Sequence, residues 1–316
     1  MTENQRLMIK IAKLYYEDGL TQHKIAERLR LSRPRVSRLL QEAIRQGIVK
    51  ISIAQTRDSH ADLEKLLEKR FNLLETIVVD IAELMTPEVV SRNLGLVAAE
   101  YFNRIVFDSD VIGLTWGATL ASMVENLQQE KKQNCLVIQL VGGLGDPETN
   151  THAIDLVSRI AISLGARMSL MPAPGVVNSA ESAALLCADR YIRQALELVK
   201  KTDVAFVGIG ATERNSLLMR DEQIITWKEM DQLRAMGAVG DISLHFYDIH
   251  GAQIDTELNS RVIGISYQDL KNIQRVVGIA GGPEKFKAIL GAIRGKLINT
   301  LITDSATAQK LLDEVQ

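Results

Sequence analysis

The stretch that decides the fold of the amino-terminal region is LTQHKIAERLRLSRPRVSRLL, residues 20–40. Thr21 and Ser32 each precede an apolar pattern with helical spacing, so each is predicted to cap a helix. Pro34 falls in the first turn of the second of these helices, where its missing N–H costs nothing. Two short helices joined by a few residues, the second rich in arginine, are typical of a helix-turn-helix. A basic three-helix domain without a DNA partner is the alternative.

The residues on either side extend this pattern into a winged module. A preceding helix is predicted to end at Asp18-Gly19, and Gly47 is predicted to end the arginine-rich helix. Residues 48–53 alternate as the strand of a wing would. Arg30 occupies the turn position that often has positive φ, where a residue other than glycine costs on the order of 1 kcal/mol. We predict a winged helix-turn-helix DNA-binding domain over residues 1–55.

Six side chains of this module are predicted to contact operator DNA. Side chains at the start of the recognition helix reach base edges first, and the arginine fork fits guanine O6/N7 and phosphate equally well. The sequence leaves open which arginine reads bases. The predicted contacts are Thr21, Gln22, Arg33, Arg35, Ser37 and Arg38.

Charge and composition limit the class of protein. Residues 1–50 contain eleven Lys/Arg and five Asp/Glu, whereas the whole chain of 316 residues has a net charge of −2. A basic module on an acidic body indicates a polyanion partner for the module alone. The apolar runs are shorter than the roughly 18–20 residues of a membrane span, and no export signal opens the chain. Two cysteines cannot build a disulfide framework or a zinc site. We therefore expect a cytoplasmic protein without membrane, metal or cofactor.

A linker and a short helix are predicted over residues 56–74. Residues 54–60 (AQTRDSH) are polar, and an apolar stripe then falls on one face of a charged helix over residues 61–71. This helix is expected either to pack on its own domain or to form a dimer contact.

From Thr76 onward, short runs rich in Val and Ile alternate with helical stretches. This alternation is typical of βαβ units and of a mostly parallel sheet covered on both faces. Residues 245–255 are predicted to form a hairpin that turns at His250-Gly251. We predict an α/β domain over residues 75–316. Its strands are predicted at residues 77–80, 111–115, 136–140, 168–171, 204–208, 262–266, 276–280 and 301–303.

Several predicted strands of this domain end in glycine-containing loops. A strand-to-helix turn with free backbone N–H groups suits a phosphate, and ligands of open α/β sheets gather at the carboxyl ends of the strands. A single loop of this kind is more often only a tight turn, and none matches the dinucleotide or nucleoside triphosphate fingerprints. Asp241 is a candidate for bonding sugar hydroxyls, with a turn or cap carboxylate as the alternative. The loops lie in VIGLTWGATL (111–120), LVGGLG (140–145), FVGIG (206–210) and VVGIAGGPEK (276–285).

The combination of these motifs resembles the SorC family of bacterial sugar-responsive transcriptional regulators. The resemblance runs over nearly the full chain and is carried by residues 14–40, GLTWGATL, AVGDISLHFYDIHG, GIAGGPEK and the tail GKLINTLITDSATAQKLL (295–312). It implies a winged helix-turn-helix joined to a Rossmann-like α/β domain similar to glucosamine-6-phosphate deaminase and ribose-5-phosphate isomerase. It also implies a phosphorylated sugar as effector and a homodimer or homotetramer as the working species.

The resemblance also assigns roles to eleven positions of the effector domain. It places Thr115, Gly117, Ala118 and Thr119 in a phosphate loop, with Gly281, Gly282 and Lys285 on its other side. It places Gly142, Gly143, Gly210 and Asp241 at the sugar end.

Two positions depart from patterns within this group. Val141 stands where deoxyribonucleoside regulators have a lysine able to form a Schiff base, so covalent aldehyde capture is not expected. Residues 211–215 (ATERN) lack the His–carboxylate pairing of the related deaminases, so no enzymatic activity is expected. An isomerase or deaminase with an accessory DNA module and a nucleotide-sensing scaffold are the alternatives. The sequence leaves open whether the regulator is a repressor or an activator.

Overall fold

The computed structural model describes residues 2–50, 60–81, 85–143, 147–213 and 224–314, with the backbone alone for residues 147–153. The chain divides into two compact units, residues 1–59 and 60–316.

The first unit is built from three helices around its own apolar core. The helices are α1 (Glu3–Ala12), which continues as a π-helical turn over Lys13–Glu17, α2 (Gln22–Leu29) and α3 (Arg33–Arg45). One buried cluster joins them, made of Met8, Ile11, Leu14, Ile25, Ala26, Val36, Leu39, Leu40 and Ala43. The helix-turn-helix predicted from residues 20–40 is confirmed.

The turn between α2 and α3 follows the expected conformations closely. Thr21 caps α2, accepting a hydrogen bond from the Lys24 N–H at 3.3 Å, and Arg30 lies in the left-handed region at φ 52°. Ser32 is the N-cap residue of α3, but its side chain makes no cap hydrogen bond. Pro34, in the first turn of α3, has no N–H to donate to it.

Half of the predicted wing strand lies outside the described residues. Its residues 51–53 fall there, and Ile48 and Val49 form a bend after Gly47, with the Val49 N–H donating to the Ala43 carbonyl at 3.1 Å.

The second unit contains a seven-stranded sheet in which every pair of neighbouring strands is parallel. Its strands are β1 (Glu75–Val79), β2 (Val111–Leu114), β3 (Leu136–Gln139), β4 (Arg167–Ser169), β5 (Val204–Gly208), β9 (Arg275–Ile279) and β10 (Thr300–Asp304). Their order across the sheet is β1-β10-β9-β5-β2-β3-β4. From β2 the chain runs outward to β3 and β4, and then returns to place β5 on the other side of β2. The crevice between β2 and β5 is therefore the point where the strand order reverses.

Helices cover both faces of this sheet. Val204 and Phe206 of β5 belong to one buried cluster, and Ala205 and Val207 to another on the opposite face. This alternation confirms a sheet buried on both sides. The helices are α4 (Ala61–Phe71), α5 (Pro87–Ile105), α6 (Ala118–Glu125), α7 (Pro147–Leu164), α8 (Ala180–Ala188), α9 (Arg190–Val199), α10 (Trp227–Ala235), α11 (Tyr267–Asn272), α12 (Phe286–Arg294) and α13 (Ser305–Asp313).

A small antiparallel sheet follows the end of β5. It consists of β6 (Gly210–Ala211), β7 (Gly240–Ile242) and β8 (His245–Tyr247). The predicted hairpin after His245 is present, since the Ile254 N–H donates to the Phe246 carbonyl at 2.9 Å.

One predicted strand is wrong. Residues 262–266 form no strand of either sheet; Val262 and Gly264 make only isolated bridges, to Val176 and Val141. Ile263 and Ile265 are buried in the core. A short buried apolar run has the same composition whether or not it joins a sheet, which is why the pattern misled.

The first helix after residues 51–59 packs within the second unit. Leu67 of α4 belongs to the same buried cluster as Leu311 of α13, and the Arg70 guanidinium donates to the Leu312 carbonyl at 3.0 Å. The face predicted as a possible dimer contact is thus in part covered by the chain itself. Leu66 of this helix is exposed.

Candidate functional site

The carboxyl ends of four adjacent strands, β9, β5, β2 and β3, bring the predicted effector loops to one edge of the large sheet. In an open α/β sheet this edge, at the point of reversed strand order, is where ligands bind.

The loop after β2 is tied to β5 through Thr115. The Thr115 N–H donates to the Phe206 carbonyl at 3.2 Å, and the Thr115 hydroxyl oxygen accepts from the Gly208 N–H at 3.1 Å. Thr115 is buried. Its hydroxyl therefore links the end of β2 to the end of β5 and keeps its hydrogen and a second lone pair for other partners.

The start of α6 offers backbone N–H groups without a side-chain cap. Gly117 is the N-cap residue at φ 142°, and no described side chain caps this helix. A Cβ built at Gly117 meets nothing within 4 Å, so the space above the turn is open. The leading N–H groups of a helix have no intrahelical acceptor and favour an anion. Ala118 and Thr119 belong to this first turn, although the Thr119 hydroxyl is buried and donates to Ser91 Oγ at 3.2 Å.

Gly142 and Gly143 differ from the other predicted positions, because their N–H groups already have partners. The Gly142 N–H donates to the Ile263 carbonyl and the Gly143 N–H to the Ala173 carbonyl, both at 2.9 Å. A Cβ on Gly142 would lie 2.5 Å from the Ala173 oxygen, so this glycine serves a close approach between backbones.

Gly210 and Asp241 face one another across the β6–β7 pair. A Cβ on Gly210 would lie 2.0 Å from Asp241 Oδ1, so only glycine leaves room for the carboxylate. Asp241 is buried, and its Oδ2 accepts from the Leu244 N–H at 3.2 Å. Burial raises the pKa of Asp241 to about 6, against the opposing effects of this N–H and of Lys285.

Lys285 is half-buried and lies within electrostatic reach of Asp241. Burial lowers the pKa of its ammonium group, while the carboxylates of Glu284 and Asp241 oppose that change. A half-buried ammonium group and a buried carboxylate thus lie near the carboxyl ends of β5 and β9.

The turn that carries Lys285 rests on a carboxylate that sequence reasoning missed. Asp304, at the end of β10, accepts from the Gly282 N–H at 2.7 Å. Gly282 has φ 98°, and a Cβ on Gly281 would lie 2.3 Å from Asp304 Oδ2. The sequence signal was a carboxylate just before a helix, which predicts an N-cap but not a bond to a loop 22 residues earlier.

Ser243 is a second polar group that sequence reasoning missed. It is buried, and its hydroxyl has no hydrogen-bond partner among the described residues. Ser243 and Leu244 form the turn between β7 and β8, both at positive φ. Such turns usually contain glycine or asparagine, whose absence concealed this one.

The predicted DNA contacts lie on the first unit as a largely exposed set. Arg33, Arg35 and Arg38 are exposed on α3, and Ser37 is half-buried. Gln22 is half-buried at the start of α2, and the hydroxyl of exposed Thr21 caps that helix. The arginines therefore present their guanidinium groups to solvent on the helix expected to read DNA.

Two absences hold for the described part of the chain. Across residues 2–50, 60–81, 85–143, 147–213 and 224–314, no helix is long and apolar enough to span a bilayer. Nor does any cluster of three or more His, Cys, Asp or Glu side chains in those ranges have the arrangement of a metal site.

Comparison with known proteins gives matches over both units. Residues 57–313 match the family described as "Putative sugar-binding domain", and residues 14–58 match the MarR family. The chain is 33% identical to the deoxyribonucleoside regulator of Bacillus subtilis (strain 168), over 99% of each chain. It is also 33% identical to the sorbitol operon regulator of Klebsiella pneumoniae, over 98% of this chain and 99% of that one.

Solved structures match in the same way. The crystal structure of the full-length sorbitol operon regulator SorC from Klebsiella pneumoniae superimposes with a TM-score of 0.74 at 32% identity, covering 98% of this chain and 100% of that one. A transcriptional regulator from Streptococcus pneumoniae TIGR4 superimposes with a TM-score of 0.75 at 27% identity, covering 80% of this chain and 97% of that one.

Proposed function

Because the chain belongs to the SorC family of transcriptional regulators, with a helix-turn-helix unit and a sugar-binding domain, we propose that its effector is a phosphorylated sugar bound at the carboxyl ends of β2, β5 and β9. Binding of this effector changes the affinity of the first unit for operator DNA. One relative is named a sorbitol operon regulator and another a deoxyribonucleoside regulator, so we propose that the operon controlled here is one of carbohydrate metabolism.

The observation that carries the proposal is that cationic and N–H donor groups lie at the same edge of the sheet as a buried carboxylate. Lys285 and the uncapped start of α6 supply positive charge and N–H donors for a phosphate dianion. Asp241 supplies a buried acceptor for sugar hydroxyls. A phosphorylated sugar carries both kinds of group, whereas an unphosphorylated sugar offers the lysine and the helix start no anionic group.

The same site is proposed to bind without turnover. Residues 211–215 (ATERN) contain no histidine beside a carboxylate to act as a general base, and residues 214–215 lie outside the described part of the chain. The protein thus senses its sugar phosphate rather than converting it.

DNA binding is proposed to require at least two copies of the chain. One helix-turn-helix reads only a few base pairs, so a two-fold operator read by a homodimer or homotetramer supplies the needed specificity. Thr21, Gln22, Arg33, Arg35, Ser37 and Arg38 form the proposed contact set.

Titration of the purified protein with matched ligands tests the effector. The panel contains sorbitol 6-phosphate, fructose 6-phosphate and 2-deoxyribose 5-phosphate, each beside its unphosphorylated parent. The tightest binder is then titrated against Lys285→Ala, with Lys287→Ala as the matched control because Lys287 is exposed on the next helix. A partly buried charge-assisted hydrogen bond is worth roughly 1.5–3 kcal/mol, so Lys285→Ala is expected to weaken binding about ten- to a hundredfold.

The control and the free protein define the contrary results. Lys287→Ala should bind like the wild type, and neither variant should change DNA affinity without ligand. A preference for the unphosphorylated sugars, or equal affinity in Lys285→Ala and the wild type, contradicts the proposal. Conversion of any sugar phosphate to product by the purified protein would contradict the sensing role.

A further inference from the structure

Asp304 forms hydrogen bonds in two directions. Its Oδ2 accepts from the Gly282 N–H at 2.7 Å and from the Thr307 hydroxyl at 2.7 Å. Its Oδ1 accepts from the Thr307 N–H at 2.8 Å and thereby caps α13. The side chain is buried, so these bonds are shielded from water. One carboxylate thus joins the glycine turn after β9 to the start of α13.

The turn held by Asp304 fixes the position of Lys285. Gly282 lies at φ 98°, and its carbonyl accepts from the Lys285 N–H at 3.1 Å, which closes a single 3₁₀ turn over Pro283–Lys285. A glycine with positive φ is conformationally free in isolation, so its geometry must be imposed from outside. Within the described residues, the Gly282 N–H has Asp304 as its side-chain acceptor.

From these contacts we infer that Asp304 is a positioning residue for effector recognition, holding the Gly281–Lys285 turn so that the lysine meets the phosphate of the ligand. This inference rests on the proposed function, because it presupposes a phosphate at Lys285. It assigns to Asp304 a role beyond capping α13, and one exerted without contact to the ligand.

The two roles of Asp304 are separable by substitution. Serine is a good N-cap residue, so Asp304→Ser keeps an acceptor for the Thr307 N–H. Its hydroxyl is too short to reach the Gly282 N–H as well. Thr307→Val is the matched control, because it removes one hydrogen bond to the same carboxylate and leaves the Gly282 bond in place.

The test measures binding of the best sugar phosphate from the panel and of its unphosphorylated parent. Asp304→Ser is expected to weaken binding of the sugar phosphate about tenfold and binding of the parent sugar less than twofold. Thr307→Val should change neither affinity by more than twofold. In the Lys285→Ala background, Asp304→Ser should have no further effect on the sugar phosphate. If Asp304 only stabilised the fold, its substitution would weaken binding of both ligands, and this loss would add to that of Lys285→Ala.

The outcomes separate this inference from the proposed function. Wild-type affinity in Asp304→Ser, equal losses for both ligands, or additive losses with Lys285→Ala would overturn the positioning role while leaving the phosphate site intact. If the wild type binds no sugar phosphate, the proposed function fails and the positioning role fails with it. Should Asp304→Ser not fold, Asp304→Asn serves instead, since its single amide oxygen cannot accept from both the Gly282 N–H and the Thr307 N–H, which bond different oxygens of Asp304.

Discussion

Replacing Asp241 by asparagine should stabilise the second unit at neutral pH and at the same time impair the response to the effector. The carboxyl group is buried, and burial raises its pKa to about 6 from the ordinary value of 3.8. The folded state therefore binds this proton more tightly than the unfolded state, so the group lowers stability once the pH exceeds both values. The penalty is absent below about pH 4 and complete above about pH 6.

The shift sets the size of the effect. About two pKa units at 1.36 kcal/mol each correspond to about 3 kcal/mol above pH 7, and to about half of that near pH 5. Asparagine carries no charge, and its amide oxygen can still accept from the Leu244 N–H. Asp241→Asn should therefore recover most of this energy at pH 7.5 and little of it at pH 4.

Urea denaturation followed by tryptophan fluorescence measures this energy for the second unit alone. The only two tryptophans, Trp116 and Trp227, both belong to that unit. Measurements at pH 7.5, 5 and 4 and at one protein concentration keep any linkage to self-association constant. Asp155→Asn is the control, because Asp155 is exposed and pairs with Arg159 at 3.5 Å; its effect should stay below about 0.5 kcal/mol.

A variant no more stable than the wild type at pH 7.5, or a gain that does not shrink toward pH 4, would refute the reasoning. The same protein should bind the sugar phosphate more weakly, since an acceptor for hydroxyl groups has lost its charge. A substitution that raises stability but weakens ligand binding is expected at a residue that serves ligand binding at a cost in stability.

Three further outcomes are expected. Arg35→Ala or Arg38→Ala should weaken operator binding by about 1–3 kcal/mol if the arginine contacts a base; if it contacts a phosphate, the slope of log affinity against log salt concentration should fall by about one unit. Arg6→Ala on α1 should change neither quantity, and unchanged gel-shift titrations of the Arg35 and Arg38 variants would place the recognition helix elsewhere. Gly251→Ala should destabilise the second unit by about 3 kcal/mol, because Gly251 has φ 76° and a Cβ on it would lie 2.2 Å from the backbone of Gly295. Gly237→Ala, at φ 93° with open space around it, should cost about 1 kcal/mol, and equal urea midpoints would contradict this difference. Light scattering at micromolar concentration should give a dimer or larger species, and a monomer with and without DNA would count against the proposed assembly.

Local sequence rules were sufficient where a residue's neighbours in the chain determine its environment. The N-cap at Thr21, the left-handed Arg30 and the positive φ of Gly19 and Gly47 depend on a few adjacent residues. The parallel sheet was equally predictable, because runs such as residues 204–208 are apolar on both faces.

Contacts between distant segments were not predictable in the same way. The run at residues 262–266 has the composition of a strand, but it forms only isolated bridges to Val176 and Val141. No local sequence pattern shows whether such a run joins a sheet. The turn at Ser243-Leu244 lacks turn residues, and tertiary packing holds Leu244 buried at positive φ. The bond from Asp304 to Gly282 likewise depends on β10 lying next to β9.

The pairing of β1 with β10 has a consequence for how the protein is made. β1 is an edge strand whose neighbour in the sheet is β10. Glu75 of β1 therefore cannot pair until Thr300 of β10 has been synthesised. The helix-turn-helix has its own core and is complete about 250 residues earlier in the chain. At translation rates of about 5–20 residues per second, this leaves an interval of about 10–50 s on the ribosome. During that interval the nascent chain carries a complete helix-turn-helix unit but not yet a complete sugar-binding domain.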